Sequence, residues 1–555
     1  MSTTNELLRQ GHKSQIWTKF CGFLDLSIDE FMCIQERLLM EEIGLISKHE
    51  IGKHFFGDRP PASVAEFRRR VPITTYDNFA PFLVGKQDQY PNAFIWSHTS
   101  GRSGQYKWIP YTREAYDRMG ERILAGVILG AAREKGEVRI EEGDTLVYNT
   151  PPRPFISGFS LRAVADQFNF HFIPDLELTE SMGFQERIEK SFSTGMREGI
   201  DILGSLGSIL VKMGERFAEG AQTIKITKSM LHPKVMSRMI KGFVRSKIAR
   251  RNMLPKDLWQ IKAIPSGGTD TAIYREKIAY YWGVQPHDQY GSTEEGAIAA
   301  QAWNKKYSTF YPAAAFFEFI PEEEWAMWRR DTSYVPKTVL LNEVQTKKRY
   351  EVVITNFYGK PLLRYRTHDL VEFPVLEDTE AGIHLPQMSF VGRGADFIDL
   401  AGLTGIIDEK MVWLAINNSG IPYQEWSIRK EVKDGEPYLR LYFEPLGALD
   451  SETVQIKVHA ALKELNPYYA DYETMMDKRA LEVTMLAPGS FQGYMAEKQA
   501  SGADLAQLKP PHMNSSDEII RMLLKHSAIK GSSNVGSPKS VSDNDTNKDL
   551  KGSKK

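Results

Sequence analysis

Four short polar segments hold the residues best suited to chemistry. The first, Ser97-His-Thr-Ser-Gly-Arg-Ser-Gly-Gln-Tyr-Lys107, is a run of hydroxyl residues and glycines. Such a loop exposes backbone N–H groups that converge on phosphate oxygens. Thr99 and Ser100 add hydroxyl donors and Lys107 a positive charge. No Gly-Lys-Ser/Thr follows at P-loop spacing, and a plain polar turn is the other reading. The second is Gln289-Tyr-Gly-Ser-Thr-Glu-Glu-Gly296. Tyr290 offers a flat face to a purine, Gly291 permits close backbone approach, and Glu294 is a hard oxygen ligand for Mg²⁺ beside phosphates. A surface turn with two solvated carboxylates has the same composition.

The third segment, Tyr365-Arg-Thr-His-Asp369, ends in a carboxylate able to accept both hydroxyls of a ribose. An ion pair between Arg366 and Asp369 is the alternative. The fourth, Gly392-Arg-Gly-Ala-Asp-Phe-Ile398, places two glycines around an arginine and suits either a hinge or an ordinary linker.

The elements that must position these segments follow from apolar spacing. Phe23–Ile46 has helical periodicity. Arg68–Phe82 reads as an extended stretch entering a short helix, with Asp77 as a possible cap. Short apolar strands at Leu146–Tyr148, His171–Ile173 and Lys262–Ile264 alternate with helices at Arg187–Arg197, Leu203–Phe217 and Tyr274–Trp282. That alternation predicts an α/β domain with partly parallel sheets. Arg349–Phe373 reads as a hairpin turning at Tyr358-Gly359. After Gly394 a smaller α+β unit is expected: strand Phe397–Leu400, helix Glu409–Asn417, strand Tyr438–Glu444, helix Ser451–Leu465, strand Leu481–Leu486.

The expected division is a large domain over 1–393, a small mobile domain over 394–525 and a disordered tail over 526–555, rich in Ser, Lys, Asp and Gly. With 555 residues, more than one core is required. A net charge of −1 excludes a global basic field, so nucleic acid is not an expected partner and an anionic ligand must be held by local groups. Two cysteines, Cys21 and Cys33, fit neither a zinc cluster nor a disulfide framework. The N-terminus lacks the apolar core of a signal peptide, and no run approaches the roughly 20 apolar residues of a membrane span. A cytosolic chain without a membrane partner is expected.

Taken together and in this order, the segments at 97–107, 290–294, 365–369 and 392–396 resemble the adenylate-forming superfamily of acyl-CoA ligases, peptide-synthetase adenylation domains and luciferases. Within it the chain is most similar to the acyl-acid amido synthetases of the auxin-responsive Gretchen Hagen type. FRRRVPITTYDNFAPFL, KWIPYT, Leu465-Asn466, Pro488-Gly-Ser-Phe491 and Gln507-Leu-Lys509-Pro510 carry that likeness. Phenylacetate-CoA ligases share much of the first half.

The resemblance implies ATP and Mg²⁺ as the nucleotide and metal, a small carboxylic acid as substrate, and an amino acid or CoA as acceptor. Thr99, Ser100 and Gly101 would hold phosphates, with Ser97 and Lys107 in the same loop. Gly267, Gly268 and Thr269 would lie against adenine, and Tyr290 would stack on it, with Gly291, Ser292 and Thr293 beside the nucleotide. Glu294 would bind Mg²⁺, Asp369 the ribose with Arg393 nearby, and Lys509 would meet the reacting carboxylate and α-phosphate. His98 and His368 stand where the family has glycines, which motivates a third reading: a nucleotide-binding regulator that has lost catalysis. The segments around Tyr148–Phe159 and Leu203–Leu210 are expected to line an apolar acid pocket.

Overall fold

The computed structural model describes residues 3–88, 90, 92–99, 107–205, 207–220, 232–267, 271–331, 333–393, 398, 407–433, 436–466, 469–470, 479–501 and 509–533. The chain divides into two compact units. The larger comprises 1–397 together with 504–509, the smaller 398–503 together with 510–555.

In the larger unit, β1 (Ile95–His98) and β2 (Trp108–Tyr111) form an antiparallel pair. β3 (Thr145–Tyr148), β4 (His171–Ile173) and β5 (Ile202–Gly204) form a parallel sheet in the order β4-β3-β5. A parallel bridge from Ile202 to Ala263 leads on to β6 (Pro265–Ser266). β6 opens an eight-stranded sheet with β7 (His287–Ser292), β8 (Gly296–Gln301), β9 (Ser308–Phe310), β10 (Ala315–Pro321), β11 (Arg349–Asn356), β12 (Tyr365–Val375) and β13 (Gln387–Arg393). Its order is β10-β11-β12-β13-β9-β8-β7-β6.

Two helices show why the sheet sits as it does. Ile28–Ile46 starts at a capping box, Ser27 with Glu30, and buries Phe31, Leu38, Leu39, Ile43 and Ile46. Its buried Gln35 accepts from Phe317 N–H (2.9 Å) and donates to Ala315 C=O (2.8 Å), satisfying the open edge of β10. Arg113–Ala131 lies close on β7, because a Cβ at Gly126 would stand 2.1 Å from Gln289 Nε2. A side chain there would lift the helix off the strand.

Several expectations shift by a few residues. The strand expected at Lys262–Ile264 is Pro265–Ser266, preceded by the bridge at Ala263. The helix expected over Leu203–Phe217 begins as β5 and turns helical only over Gly207–Gly220. The helix expected from Phe23 begins at Ile28, after a 3₁₀ turn at Gly22–Asp25. Arg68–Arg70 are the end of a helix, Val64–Arg70, not an extended stretch. Asp77 sits inside the following turn, Tyr76–Asn78, where Thr75 N–H donates to Asn78 Oδ1 (2.8 Å).

The hairpin of β11 and β12 turns where expected, with Tyr358 and Gly359 at φ 64° and 77°.

The smaller unit is a three-stranded sheet of β14 (Tyr423–Lys433), β15 (Glu436–Pro445) and β16 (Leu481–Met485), with β14 and β15 antiparallel and β15 and β16 parallel. The helices Glu409–Asn418 and Ser451–Leu465 belong to it, and Trp426, Ile428, Leu441, Phe443, Val458 and Leu462 are among its core residues. Of the strand expected at Phe397–Leu400, only Ile398 lies within the described residues, as a bridge to Ile407. The last helix, Asp517–Ser533, runs past His526, where the tail was expected to begin.

Candidate active site

The site forms where strands end. Asn149, Ser205 and Gly267 follow directly on the C-terminal ends of β3, β5 and β6, and Ser292 ends β7. Neighbouring ends are tied: Asn149 N–H donates to Gly204 C=O (3.2 Å), and Ser266 Oγ to Ser205 C=O (3.0 Å). In open α/β sheets ligands settle at such carboxyl edges. Buried polar atoms without a hydrogen-bond partner gather in these segments: Asn149 Oδ1, Thr150 Oγ1, Ser205 Oγ, Gln289 Nε2 and Ser292 Oγ. Buried polar groups are ordinarily satisfied, so this edge has spare capacity for a polar ligand. Sequence reading placed Asn149, Thr150 and Ser205 in the segments expected to line an acid pocket and Gln289 at the head of the second motif segment, but gave none of the four a role of its own. Their place directly after apolar strand runs was the available signal.

Tyr290, Asp369, Glu294 and Lys107 come together. Tyr290 is buried in β7, and its hydroxyl donates to Asp369 Oδ2 at 2.9 Å while its ring packs against Phe390. Glu294 Oε1 accepts from Tyr365 O–H at 3.1 Å, and Lys107 Nζ stands 3.5 Å from the same hydroxyl. Burial pushes the Tyr365 phenol well above its ordinary pKa, so it remains a donor to Glu294. Gly291 is required by packing: a Cβ there would meet Gly296 C=O at 2.5 Å. Thr293 C=O accepts from Tyr111 O–H at 2.8 Å.

Arg366 does not pair with Asp369. It makes two bonds to Glu351 (2.7 and 2.6 Å) and lies 3.9 Å over the Trp328 ring. Asp369 itself is opposite Arg393 across the β12–β13 ladder.

The first loop is described at its two ends. Ser97 is fully buried and donates to Pro154 C=O (3.1 Å), a structural bond. Thr99 N–H donates to Lys107 C=O (3.1 Å) and Thr99 Oγ1 accepts from Lys107 N–H (3.3 Å), closing the loop at its base. Ser100 and Gly101, like Gly268 and Thr269, lie outside the described residues. Gly267 is at the end of β6, where a Cβ would be 3.4 Å from Gln289 C=O. Lys509 is half-buried and falls with the larger unit, not with the small domain to which sequence reading assigned it.

The two histidines differ. His98 is not on a loop surface: it is a buried β1 residue, with its ring edge-on to Trp108 and Phe155. His368 does occupy left-handed backbone, at φ 61°, the conformation a glycine would adopt freely. Its ring is 3.5 Å from Glu351, and burial holds its pKa below the ordinary value.

Beneath Glu294 lies a buried charge cluster that sequence reading missed. Asn356 Nδ2 and Lys360 Nζ both donate to the Glu294 carbonyl (3.2 and 3.1 Å). Lys360 also pairs with Glu295 at 2.5 Å, and Arg122 reaches Glu295 at 3.0 Å. Glu42 joins from the first long helix, accepting from Gly359 N–H (2.7 Å) with Oε1 unpartnered. Burial raises its pKa to about 8.

The arrangement fits Mg²⁺ of the phosphate-borne kind. Among the described residues no group of three or more His, Cys, Asp or Glu side chains gathers to form an all-protein metal cage. A single carboxylate such as Glu294 is what Mg²⁺ uses when nucleotide phosphates and water complete its shell.

The larger unit is thus a mixed α/β body whose strand ends carry unpartnered polar groups, and the smaller unit is α+β. Residues 23–148 match the GH3 family N-terminal domain and residues 308–393 the GH3 family central domain. Indole-3-acetic acid-amido synthetase GH3.3 of Arabidopsis thaliana is 22% identical over 567 residues, covering 88% of this chain and 90% of that protein. The fold is similar to that of the AtGH3.15 acyl acid amido synthetase solved with 2,4-DB, with TM-score 0.65, 17% identity, and coverage of 93% of this chain and 96% of that one. It is also similar to a 2-hydroxyisobutyryl-CoA ligase in the postadenylation state, with TM-score 0.59, 14% identity, and coverage of 91% and 94%.

Proposed function

We propose that this chain is an ATP-dependent acyl-acid amido synthetase, acting in the cytosol, that activates a carboxylic acid as its acyl-adenylate and joins it to an amino acid. The observation that carries this reading is the meeting of three segments far apart in sequence. Lys107, the Tyr290–Glu294 turn and the Tyr365–Asp369 strand share one bonded network.

In the proposed site Asp369 holds the ribose hydroxyls and Tyr290 sets the carboxylate's orientation through its own hydroxyl. Glu294 holds Mg²⁺, which when bound supplies positive charge beside the phosphates. Lys107 and the loop from Thr99 lie toward the phosphates, where charge builds as pyrophosphate leaves. Arg393 is proposed beside the ribose and Lys509 at the reacting carboxylate. The acid is proposed to sit between the Tyr148–Phe159 and Leu203–Leu210 segments, joined at Asn149 and Gly204, where mostly apolar residues with polar atoms at Asn149, Thr150 and Ser205 favour an aromatic or medium-sized apolar acid.

Thioester formation with CoA is the second reading, supported by the CoA-ligase fold neighbour. The regulator reading loses half its motive, because His98 is a buried strand residue and makes no demand on loop backbone.

The test is acid-dependent pyrophosphate release with ATP and Mg²⁺ over a panel of acids, each offered amino acids and CoA in turn. Release with consumption of an amino acid is expected. Consumption of CoA alone would move the assignment to the thioester reading. No release with any acid, despite ATP binding, would overturn the catalytic reading.

A further inference from the structure

The helix Pro233–Ile248 turns an apolar face to solvent, unlike an ordinary surface helix. Its inward face is made of Val235, Gly242 and Ser246, with Met239 packed against the core beside them. Its outward face is apolar: Met236, Ile240, Phe243, Val244 and Ile248 are 45%, 60%, 57%, 48% and 78% exposed. Their spacing, i, i+4, i+7, i+8 and i+12, puts them in one stripe. Single exposed apolar residues are unremarkable, but a contiguous stripe on one helix marks a surface that is covered in use.

Charge identifies the cover. From Gly220 to Lys256 the sequence has ten lysines and arginines and no acidic residue, in a chain of net charge −1. Lys234, Lys241, Lys247 and Arg250 are exposed along this helix and its end. Arg238 and Arg245 donate to the backbone carbonyls of Met196 and Asp257, so their charge is not neutralised. The Asp257 carboxylate is buried and held by two bonds from Arg251 (2.7 and 2.8 Å).

An apolar stripe flanked by uncompensated cations is the pattern of a helix that lies in the interface of an anionic bilayer. Nucleic acid would call for cations and stacking aromatics facing outward, whereas the outward residues are mostly aliphatic. A second copy of the chain would set like charge against like charge across a two-fold axis. Among the described residues no helix is long and apolar enough to cross a membrane, so the contact is with the surface.

We propose that this face seats the protein on an anionic lipid surface, burying the Met236–Ile248 stripe among acyl chains with the lysines at the headgroups. This revises the sequence-level expectation of no membrane partner. The test is co-sedimentation of the full chain with phosphatidylcholine vesicles, with and without phosphatidylserine, over a salt series. Binding is expected only with phosphatidylserine and should weaken as salt rises. The double variant Ile240→Glu, Phe243→Glu should lose about tenfold or more in vesicle affinity. The triple variant Lys234→Gln, Lys241→Gln, Lys247→Gln should lose a similar amount and flatten the salt dependence. Both variants change only exposed side chains, so their melting temperatures and pyrophosphate release should match the parent. Three results would overturn the proposal: no vesicle binding, equal binding to neutral and anionic vesicles, or a concentration-dependent dimer abolished by the Glu variants while vesicles bind nothing.

Discussion

Both units enclose charge, fully in the larger and partly in the smaller, and they do so for different ends. In the larger unit Glu42, Arg122, Glu295 and Lys360 surround the carbonyl of Glu294, so the cluster's output is the position of one turn of the site. In the smaller unit His512 is gripped by Glu409 (2.5 Å) and Glu425 (2.7 Å) and stacked on Trp426 at 4.3 Å. Neighbouring backbone bonds attach that segment to β14: Ile428 N–H to His512 C=O and Asn514 N–H to Ile428 C=O. The second cluster fastens the segment His512–Asn514 to β14. A buried ion pair is therefore not a mark of function in itself; what it orients decides.

The comparison breaks first at Lys360. Lys360→Met removes one of the two cations paired with Glu295 and one donor to the Glu294 carbonyl. Breaking one side of a buried pair costs about 3–5 kcal/mol. The expected outcome is that loss in denaturant unfolding, together with a raised Mg²⁺ requirement for pyrophosphate release. A variant that loses stability but keeps its Mg²⁺ dependence would make the two clusters equivalent.

His512→Ala should destabilise by about 1–3 kcal/mol near neutral pH, between the values for exposed and buried pairs, and leave the Mg²⁺ dependence unchanged. Burial opposes the charged ring, but the two carboxylates outweigh it and raise its pKa to about 10. The folded state therefore holds this proton more tightly than the unfolded chain, whose histidine titrates near 6.5. The stabilisation is complete below about pH 6.5 and is lost as pH rises toward 10. Unfolding of the parent followed across that window should show the decline, and His512→Ala should flatten it.

Smaller in energy, though visible in rate, are substitutions at the site proper. Glu294→Gln and Lys509→Ala should each reduce acid-dependent pyrophosphate release by about 100-fold, in line with the loss of one charge-stabilising group. Unchanged release in Lys509→Ala would remove that lysine from the reaction, and unchanged Mg²⁺ dependence in Glu294→Gln would remove the carboxylate from the metal.

Much of this was legible in the sequence for a local reason. The motif segments and the Tyr358-Gly359 hairpin carry their signal in adjacent residues. The cross-chain ties do not. Glu42 sits in an amphipathic helix where a carboxylate reads as solvated, and only the fold brings it under Gly359. Nothing local to Arg366 says that its partner is Glu351 across the hairpin and not the nearby Asp369. Leu203 and Gly204 of the strand Ile202–Gly204 were read as the start of a helix because a short apolar run before a helix has no period of its own. His98 was read as loop because its segment is polar, while its ring is enclosed by Trp108 and Phe155 from two other segments.

Glu42 sharpens the comparison most finely. Burial, only partly offset by Gly359 N–H and Lys360, raises its pKa to about 8, so the folded state keeps a proton that the unfolded chain gives up near pH 4.5. Its stabilising share is present below about 4.5 and is lost as pH rises through 8. That window is displaced to lower pH from that of His512, so the two units should be separable in one pH series. Glu42→Gln keeps an acceptor for Gly359 N–H and never ionises. It should gain stability over the parent as pH rises, by about 1–3 kcal/mol at pH 8, with little difference at pH 4. A parent and variant that run parallel across the window would mean that Glu42 is already ionised in the fold, and that the cluster beneath Glu294 is closer to neutral than its burial implies.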